Sequence, residues 1–394
     1  MKKWKIAGAV LALVLLLECA YGVVIFTDWI PAASRLRDSF IQTAMATMNH
    51  RWLATALIPD GVIETAMEKL ESARETQMGL RSEWENAPEF PQRNGKIRDE
   101  ADFFALFPEL DPESVHSYVE KHPEVLRNGW GGFLVNEAGL EDAGTDMKTV
   151  CGDQVLAVDA ENGMLVIRIA ENACRGVLVI GKHPETLRCV QADDPEAGQT
   201  VGEIAENQGA LAAVTGSGFH DLGKNPGGPR QVGAAVYDGR VYGESDPKTK
   251  RAELRRDSRL YIVDAADPVS PDCVGATEWL PALIVDGVNV SKVEHFYTAL
   301  NPRACIGQSA DGSVMLLGIE GRHADSIGCN AEFCADILER YGAYQAMNLD
   351  GGTSAMVWHR GEPILRCSDP KLPEGRKLPN CWVYGGEVQI SGMN

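Results

Sequence analysis

The chain opens on a basic cluster, Lys2, Lys3 and Lys5, and then runs apolar over 6–26, interrupted only by Glu18 and Cys19. About 20 apolar residues suffice for a helix to cross a bilayer. Beyond this run the apolar positions become periodic. The stretches 32–58 and 61–77 read as helices, with Ile63, Met67, Leu70 and Arg74 recurring at helical spacing and Asp60 placed to cap the second. The segment 86–96, with Pro88, Pro91 and Gly95, reads as a linker. Phe103, Phe104 and Phe107 follow, and Asp111-Pro112-Glu113 opens a helix through His122 with proline in its first turn.

From about Cys151 the pattern shortens to β runs joined by turn dipeptides. Asn162-Gly163 lies between 154–160 and 164–170, and Asp238-Gly239 between 233–237 and 241–242. Asp286-Gly287 lies between 283–285 and 288–290, and Asp311-Gly312 between 303–309 and 314–319. Such dipeptides between apolar runs are strong hairpin signals. One helix interrupts the β region. It spans 329–341, carries Phe333, Ile337 and Leu338 on one face, and is closed by Gly342. The predicted fold is α+β: a mixed, largely antiparallel sheet domain with packed helices over 151–392. A transmembrane segment (1–30) and a helical stalk and linker region (31–150) precede it.

Charge narrows the partners. The 394 residues carry a formal net charge of −19, from 56 acidic and 37 basic side chains. Such a surface repels nucleic acid and anionic headgroups, so no nucleic-acid partner is expected. An anionic substrate stays compatible wherever arginine reverses the local field. The basic flank keeps the N-terminus cytoplasmic and puts everything after Asp28 outside. Ala20-Tyr21-Gly22 is a poor cleavage site, and Glu18 is not the small residue a lipoprotein would carry before Cys19. An uncleaved single-pass anchor fits these residues best. The cysteines show no Cys-x-x-Cys pair and no zinc spacing with histidine, so neither metal nor cofactor is expected from them. Cys367 and Cys381, flanking a Pro-rich loop, are the expected pair if disulfides form outside the cell.

The most chemical stretch is Ala346-Met347-Asn348-Leu349-Asp350-Gly351-Gly352-Thr353-Ser354-Ala355-Met356-Val357-Trp358. An apolar run ends in a carboxylate, two glycines and two hydroxyls follow, and a second apolar run begins. One reading is a tight Asp-Gly turn satisfying its own loop. The other is a polar site at a strand end, where glycines let backbone approach a ligand. Two further blocks sit at neighbouring strand ends: Asn301-Pro302-Arg303, and Gly321-Arg322-His323-Ala324-Asp325-Ser326. Glu332 and Asp336 share a helix face. If these strands are neighbours, Arg303, Arg322, Asp325, Ser326, Asn348, Asp350 and Ser354 line one rim. The bland readings are surface charge for the arginines, a helix N-cap for Ser326 and a first-turn carboxylate for Glu332.

The ordered blocks resemble the phosphodiester glycosidase domain, the family of the uncovering enzyme and its bacterial relatives. They run from Gly152-Asp-Gln-Val-Leu-Ala-Val-Asp and Arg175-Gly-Val-Leu-Val-Ile to Ala213-Val-Thr-Gly-Ser-Gly-Phe-His-Asp. The Arg303, Arg322-to-Ser326 and Asn348-to-Ser354 blocks complete the order. The family usually has Asn at the position of Thr215, and a third Gly and second Ser at Thr353 and Ala355.

The resemblance implies hydrolysis of a sugar-1-phosphodiester to free sugar and phosphomonoester, with a phosphodiester-linked surface carbohydrate as partner. It implies Arg303 on the phosphate, with Arg322 as second choice, and Asp350 as general base or nucleophile at the anomeric carbon. Glu332 is a candidate second carboxylate. Asn348, Gly351, Gly352, Thr353, Ser354, Asp325, Ser326, Thr215 and Ser217 complete the implied substrate site. Two other classes compete: a non-catalytic glycan-binding module, and a phosphodiesterase using Ca²⁺ or Mg²⁺ on Asp325, Asp336 and Asp350, although no dense ligand motif is present.

Overall fold

The structure is a computed structural model that describes residues 2–47, 51–85, 87–91, 96–136, 145–195, 197–219, 231–293 and 296–386. The chain divides into two compact units, one of residues 1–76 with 293–300 and one of 77–292 with 301–394. The linker expected over 86–96 and the end of the domain expected over 151–392 fall partly outside the described residues.

The first unit is helical: α1 (Lys2–Phe26), α2 (Pro31–Met45), α3 (Arg51–Leu57) and α4 (Asp60–Glu75). Ile25, Ile41, Ala44, Ala54, Ile58, Ile63 and Ala66 form its core. Beneath them Arg37 ties the buried Asp38 (Nε–Oδ1 2.8 Å) to the α1 end through the carbonyl of Ile25 (3.2 Å). The single helix expected over 32–58 is two helices, because α2 ends at Met45. Asp60 is the first residue of α4 and Pro59 occupies the cap position, so the Asp60 carboxylate faces the first turn rather than capping it. Among the described residues no single helix is long and apolar enough to cross a membrane. Val10–Phe26 and Pro31–Met45, bent by 76°, meet that test together.

The second unit begins with α5 (Glu100–Leu106) and α6 (Pro112–Lys121). Asp111 caps α6 through Ser114 N–H at 2.9 Å, as the Asp-Pro-Glu signal predicts. The strands follow in chain order: β1 (Leu134–Val135), β2 (Gln154–Asp159), β3 (Met164–Glu171), β4 (Cys174–Gly181), β5 (Arg188–Gln191) and β6 (Ala212–Thr215), with α7 (Val201–Asn207) between the last two. Next come β7 (Ala235–Tyr237), β8 (Arg240–Tyr242), β9 (Lys250–Arg255), β10 (Leu260–Asp264), β11 (Cys273–Trp279), β12 (Ala282–Val285) and β13 (Val288–Asn289). The last are β14 (Arg303–Ser309), β15 (Val314–Ile319), α8 (Ala331–Arg340), β16 (Ala343–Asn348), β17 (Val357–His359), β18 (Glu362–Pro363) and β19 (Asn380–Tyr384).

They form a nine-stranded sheet in the order β1-β2-β3-β4-β15-β14-β16-β12-β13 and two five-stranded sheets, β10-β9-β11-β7-β8 and β18-β17-β6-β19-β5. Every strand pair around the site is antiparallel. All four predicted hairpins are present. In two of them Asp and Gly both take positive φ, Asp238 with Gly239 (48° and 76°) and Asp286 with Gly287 (48° and 76°), the pair of values a type I′ turn demands.

The main core gathers Val166, Val179, Ile306, Leu316 and Met347 from the large sheet with Val214, Val357, Trp382 and Leu254 from the two smaller ones. The cysteines are thiols. Cys381 lies inside the β19 ladder between β6 and β5, while Cys367 turns its Sγ to the Thr353 carbonyl (3.6 Å), so the expected Cys367–Cys381 bond is not formed.

Candidate active site

Strand direction assembles the site. β15 and β16 both pair antiparallel with β14, so they run the same way and end at the edge where β14 begins. The register sets Arg303 opposite Ile319 and Cys305 opposite Asn348. The loops after β15 and β16 therefore flank Arg303. α8 makes the crossover between the two strands, capped by Asn330 (Phe333 N–H to Oδ1, 2.9 Å) and ended by Gly342 at φ +81°. Asn330, not Ser326, is the cap.

The 349–354 loop is stitched to two sheets. Leu349 N–H donates to Ala304 O (2.7 Å), Asp350 N–H to Gly216 O (3.1 Å) and Gly352 N–H to Pro302 O (2.9 Å). Gly351 is required by close approach, since a Cβ there would lie 2.7 Å from the Pro302 carbonyl oxygen. Gly352 is required by its φ of +62°. Both N–H groups are taken up within the protein, that of Gly352 by the Pro302 carbonyl and that of Gly351 by Asp350 Oδ1 at 3.0 Å. Their contribution is loop shape.

Asp350 is half-buried as a residue, while protein surrounds its carboxyl group. Burial raises its pKa from the ordinary value to about 6, opposed by a hydrogen bond from Ser354, the charge of Arg376 and the Gly351 N–H. Arg303 is buried, 7% exposed, with Nε donating to the Cys329 carbonyl at 3.2 Å. Arg322 holds a left-handed φ of +65° and spans the loops, donating to Thr353 Oγ1 (3.1 Å) and Asn301 Oδ1 (3.3 Å). Thr353 also accepts from Ser368 at 3.2 Å.

Other predicted residues are placed as scaffold. The Asn348 amide is buried and donates to the carbonyls of Leu280 and Leu349, each at 2.7 Å. Thr215 is fully buried; its hydroxyl donates to Ser354 O (2.6 Å) and accepts from Met356 N–H (2.9 Å). Ser217 pairs with Asn380 through Oγ and N–H, both at 2.8 Å. Ser326 is buried, accepting from Arg175 N–H (2.9 Å) and donating to Glu320 O (3.1 Å).

The remaining acids stand in other surroundings, exposed and, for two of them, paired with cations. Asp325 is held by Arg366 and Arg175, each at 2.9 Å, and the Arg366 hydrogen bond, with that of Arg175 next, lowers its pKa to about 2. Asp336 pairs with Lys292 on the exposed side of α8, and Glu332 is exposed in its first turn. Among the described residues no three His, Cys, Asp or Glu side chains are grouped to hold a metal ion.

The structure adds three residues to the site. Arg376, just before β19, lies over the Phe219 ring at 4.7 Å and opposes the upward shift of Asp350. Trp279 ends β11 with its ring on Gly218, where a Cβ would come within 2.0 Å of it. Nothing local in the sequence marks these residues. A basic residue in the Gly375-Arg376-Lys377 turn before a strand was the one available signal.

The arrangement is an enclosed carboxyl group able to change charge near neutrality, acted on by Arg376, in a loop that Arg322 braces beside the strand that Arg303 opens. Solved structures similar to this chain include the catalytic domain of zebrafish N-acetylglucosamine-1-phosphodiester α-N-acetylglucosaminidase, auto-inhibited by its pro-peptide. It is 17% identical with a TM-score of 0.47, over 57% of this chain and 82% of that one. A hypothetical protein from Synechocystis is 15% identical with a TM-score of 0.39, over 59% of this chain and 63% of that one. A protein from Burkholderia pseudomallei K96243 is 15% identical with a TM-score of 0.41, over 54% of this chain and 74% of that one. No curated protein matches the sequence. The family model described as phosphodiester glycosidase matches residues 208–384, a span that includes Thr215, Trp279, Arg303, Arg322, Asp350 and Arg376. Over residues 208–384, then, this chain is similar to the phosphodiester glycosidase family.

Proposed function

We propose that this protein hydrolyses a sugar-1-phosphodiester, releasing free sugar and a phosphomonoester. The observation that carries the reading is the Asp350 carboxyl group, enclosed by protein, raised to about 6 and placed at the strand edge shared with Arg303 and Arg322. At neutral pH it is mostly ionised yet basic enough to take a proton from water, the condition for a general base. In the alternative mechanism the same carboxylate is the nucleophile. As general base it activates the water that attacks the anomeric carbon. As nucleophile it attacks that carbon itself, and water then cleaves the glycosyl ester. In both, the C1–O bond breaks and its electron pair leaves on the phosphate, which gains one negative charge. Arg303 stabilises that charge from its seat on the Cys329 carbonyl, and Arg322 adds a second cation. Trp279 and Phe219 offer apolar faces to a sugar ring.

The substrate we infer is a phosphodiester-linked surface carbohydrate, reached from the outer side of a membrane. The anchor reading rests on Lys2, Lys3 and Lys5 in the first residues of α1, a helix of 25 residues. The test is to incubate the protein and its Asp350→Asn form with a GlcNAc-1-phosphodiester and identify the products. Free GlcNAc from the first and none from the folded variant supports the reading. Sugar-1-phosphate as product, lost on adding EDTA, would replace it with metal-assisted P–O cleavage, and binding without turnover would replace it with a glycan-binding role.

A further inference from the structure

Three thiols meet in the core behind Arg303. Cys305 lies in β14, Cys329 ends the loop before α8, and Cys334 lies in α8; they are 0%, 2% and 0% exposed. The Cys329 and Cys334 sulfurs are 3.4 Å apart. A disulfide needs about 2.05 Å, so an approach of little more than an ångström would bond them. Cys305 also hydrogen-bonds to Cys334, and its Sγ lies 4.0 Å from Asn348 Oδ1. Asn330, the α8 cap, lies inside the Cys329–Cys334 loop, and the Cys329 carbonyl is the group that receives Arg303 Nε.

We propose that Cys329 and Cys334 are an oxidisable pair, closing to a disulfide by exchange with a small-molecule disulfide and so stapling the carbonyl that holds Arg303 to the first turns of α8. Cys334 is the attacking sulfur. Burial pushes all three thiols up. At Cys334 the hydrogen bonds from Cys305 and Cys329 and the charge of Arg303 outweigh burial and hold it well below the usual thiol range, whereas Cys329 and Cys305 stay well above it.

The Cys334 thiolate attacks one sulfur of the small disulfide, expels a small thiolate and forms a mixed disulfide. Cys329, giving up its proton, then attacks Cys334 Sγ and expels the second small thiolate. The two protein thiols lose two electrons, the small disulfide gains them, and the two protons leave on the small thiols.

The test reads mass rather than turnover, so it stands or falls apart from the glycosidase reading. The full chain in detergent is exposed to oxidised glutathione in two arms, once folded and once during refolding from urea. It is then denatured, alkylated and peptide-mapped without reduction. In either arm the peptide holding Cys329 and Cys334 should lose two hydrogens, carry no alkyl group at those residues, and regain both groups after reduction, while Cys305 is alkylated. Cys305→Ser should leave the bond forming; Cys334→Ser should leave Cys329 alkylated or glutathione-bound. Full alkylation of both cysteines in both arms, or a bond made to Cys305 in the unaltered chain, overturns the proposal.

Discussion

Asp325 follows β15 and Asp350 follows β16, two strands running the same way on either side of β14, yet their surroundings act on them in opposite senses. Asp325 is exposed, and Arg366 and Arg175 hold it charged down to about pH 2. Asp350 is enclosed, and burial outweighs its hydrogen bonds and the more distant Arg376, leaving it at about 6. Adjacency to arginine is thus no measure of function. The loop whose acid is matched by cations is braced; the loop whose acid is under-compensated holds chemistry in reserve.

The sharpest way to break this contrast is to neutralise Asp350. Asp350→Asn should lower kcat by about 10³-fold, within the range for a lost general acid–base group. It should also stabilise the fold. Between about pH 4 and 6 the unfolded chain releases a proton the folded chain keeps, so wild-type stability falls as pH rises through that window and is level above it. The variant lacks this slope and should gain up to about 3 kcal/mol at pH 7, checked by urea denaturation at several pH values. A variant equally inactive and less stable at pH 7 would mean that Asp350 is a structural carboxylate.

Arg303→Lys comes next. Lysine cannot keep the Cys329 contact and present a planar fork at once, so kcat/KM should drop roughly 10- to 100-fold, the worth of one charged hydrogen bond. An unchanged value moves the phosphate to Arg322. Thr353→Val removes the hydroxyl shared by Arg322 and Ser368 while keeping the side chain's shape. Its loss, about 1 kcal/mol, should show as a severalfold rise in KM with kcat kept. Asp325→Asn should do least. It removes a carboxylate whose stabilising effect is present above about pH 4 and lost as pH falls toward 2, so acid unfolding should begin earlier or weaken in pH dependence while turnover at neutral pH stays level. A collapse of turnover in Asp325→Asn would erase the distinction between the two loops.

How much of this was legible in the chain depended on the range of the signal. The hairpins were local: Asp238-Gly239 and Asp286-Gly287 name their own turn type, and the structure obliges with positive φ at both positions. The convergence of Arg303, Arg322 and Asp350 was legible because all three sit at ends of consecutive β runs. Trp279, Phe219 and Arg376 were not, because they reach the site only through the pairing of β6, β17 and β19 and the packing of Gly218 under Trp279. Hydroxyls were the hardest to place. Thr215 and Ser326 look like ligand groups in a motif, yet both are buried and satisfied by backbone, and nothing short of tertiary structure separates them from Thr353, which faces Arg322.

The central claim is that enclosure tunes Asp350. It is tested most directly by following the Asp carboxyl carbons by ¹³C NMR across pH 3 to 8, with Asp350→Asn assigning the resonance. A carboxyl titrating with a midpoint near 6, absent from the variant, is the predicted result. A midpoint near the ordinary Asp value of about 3.9 would contradict it.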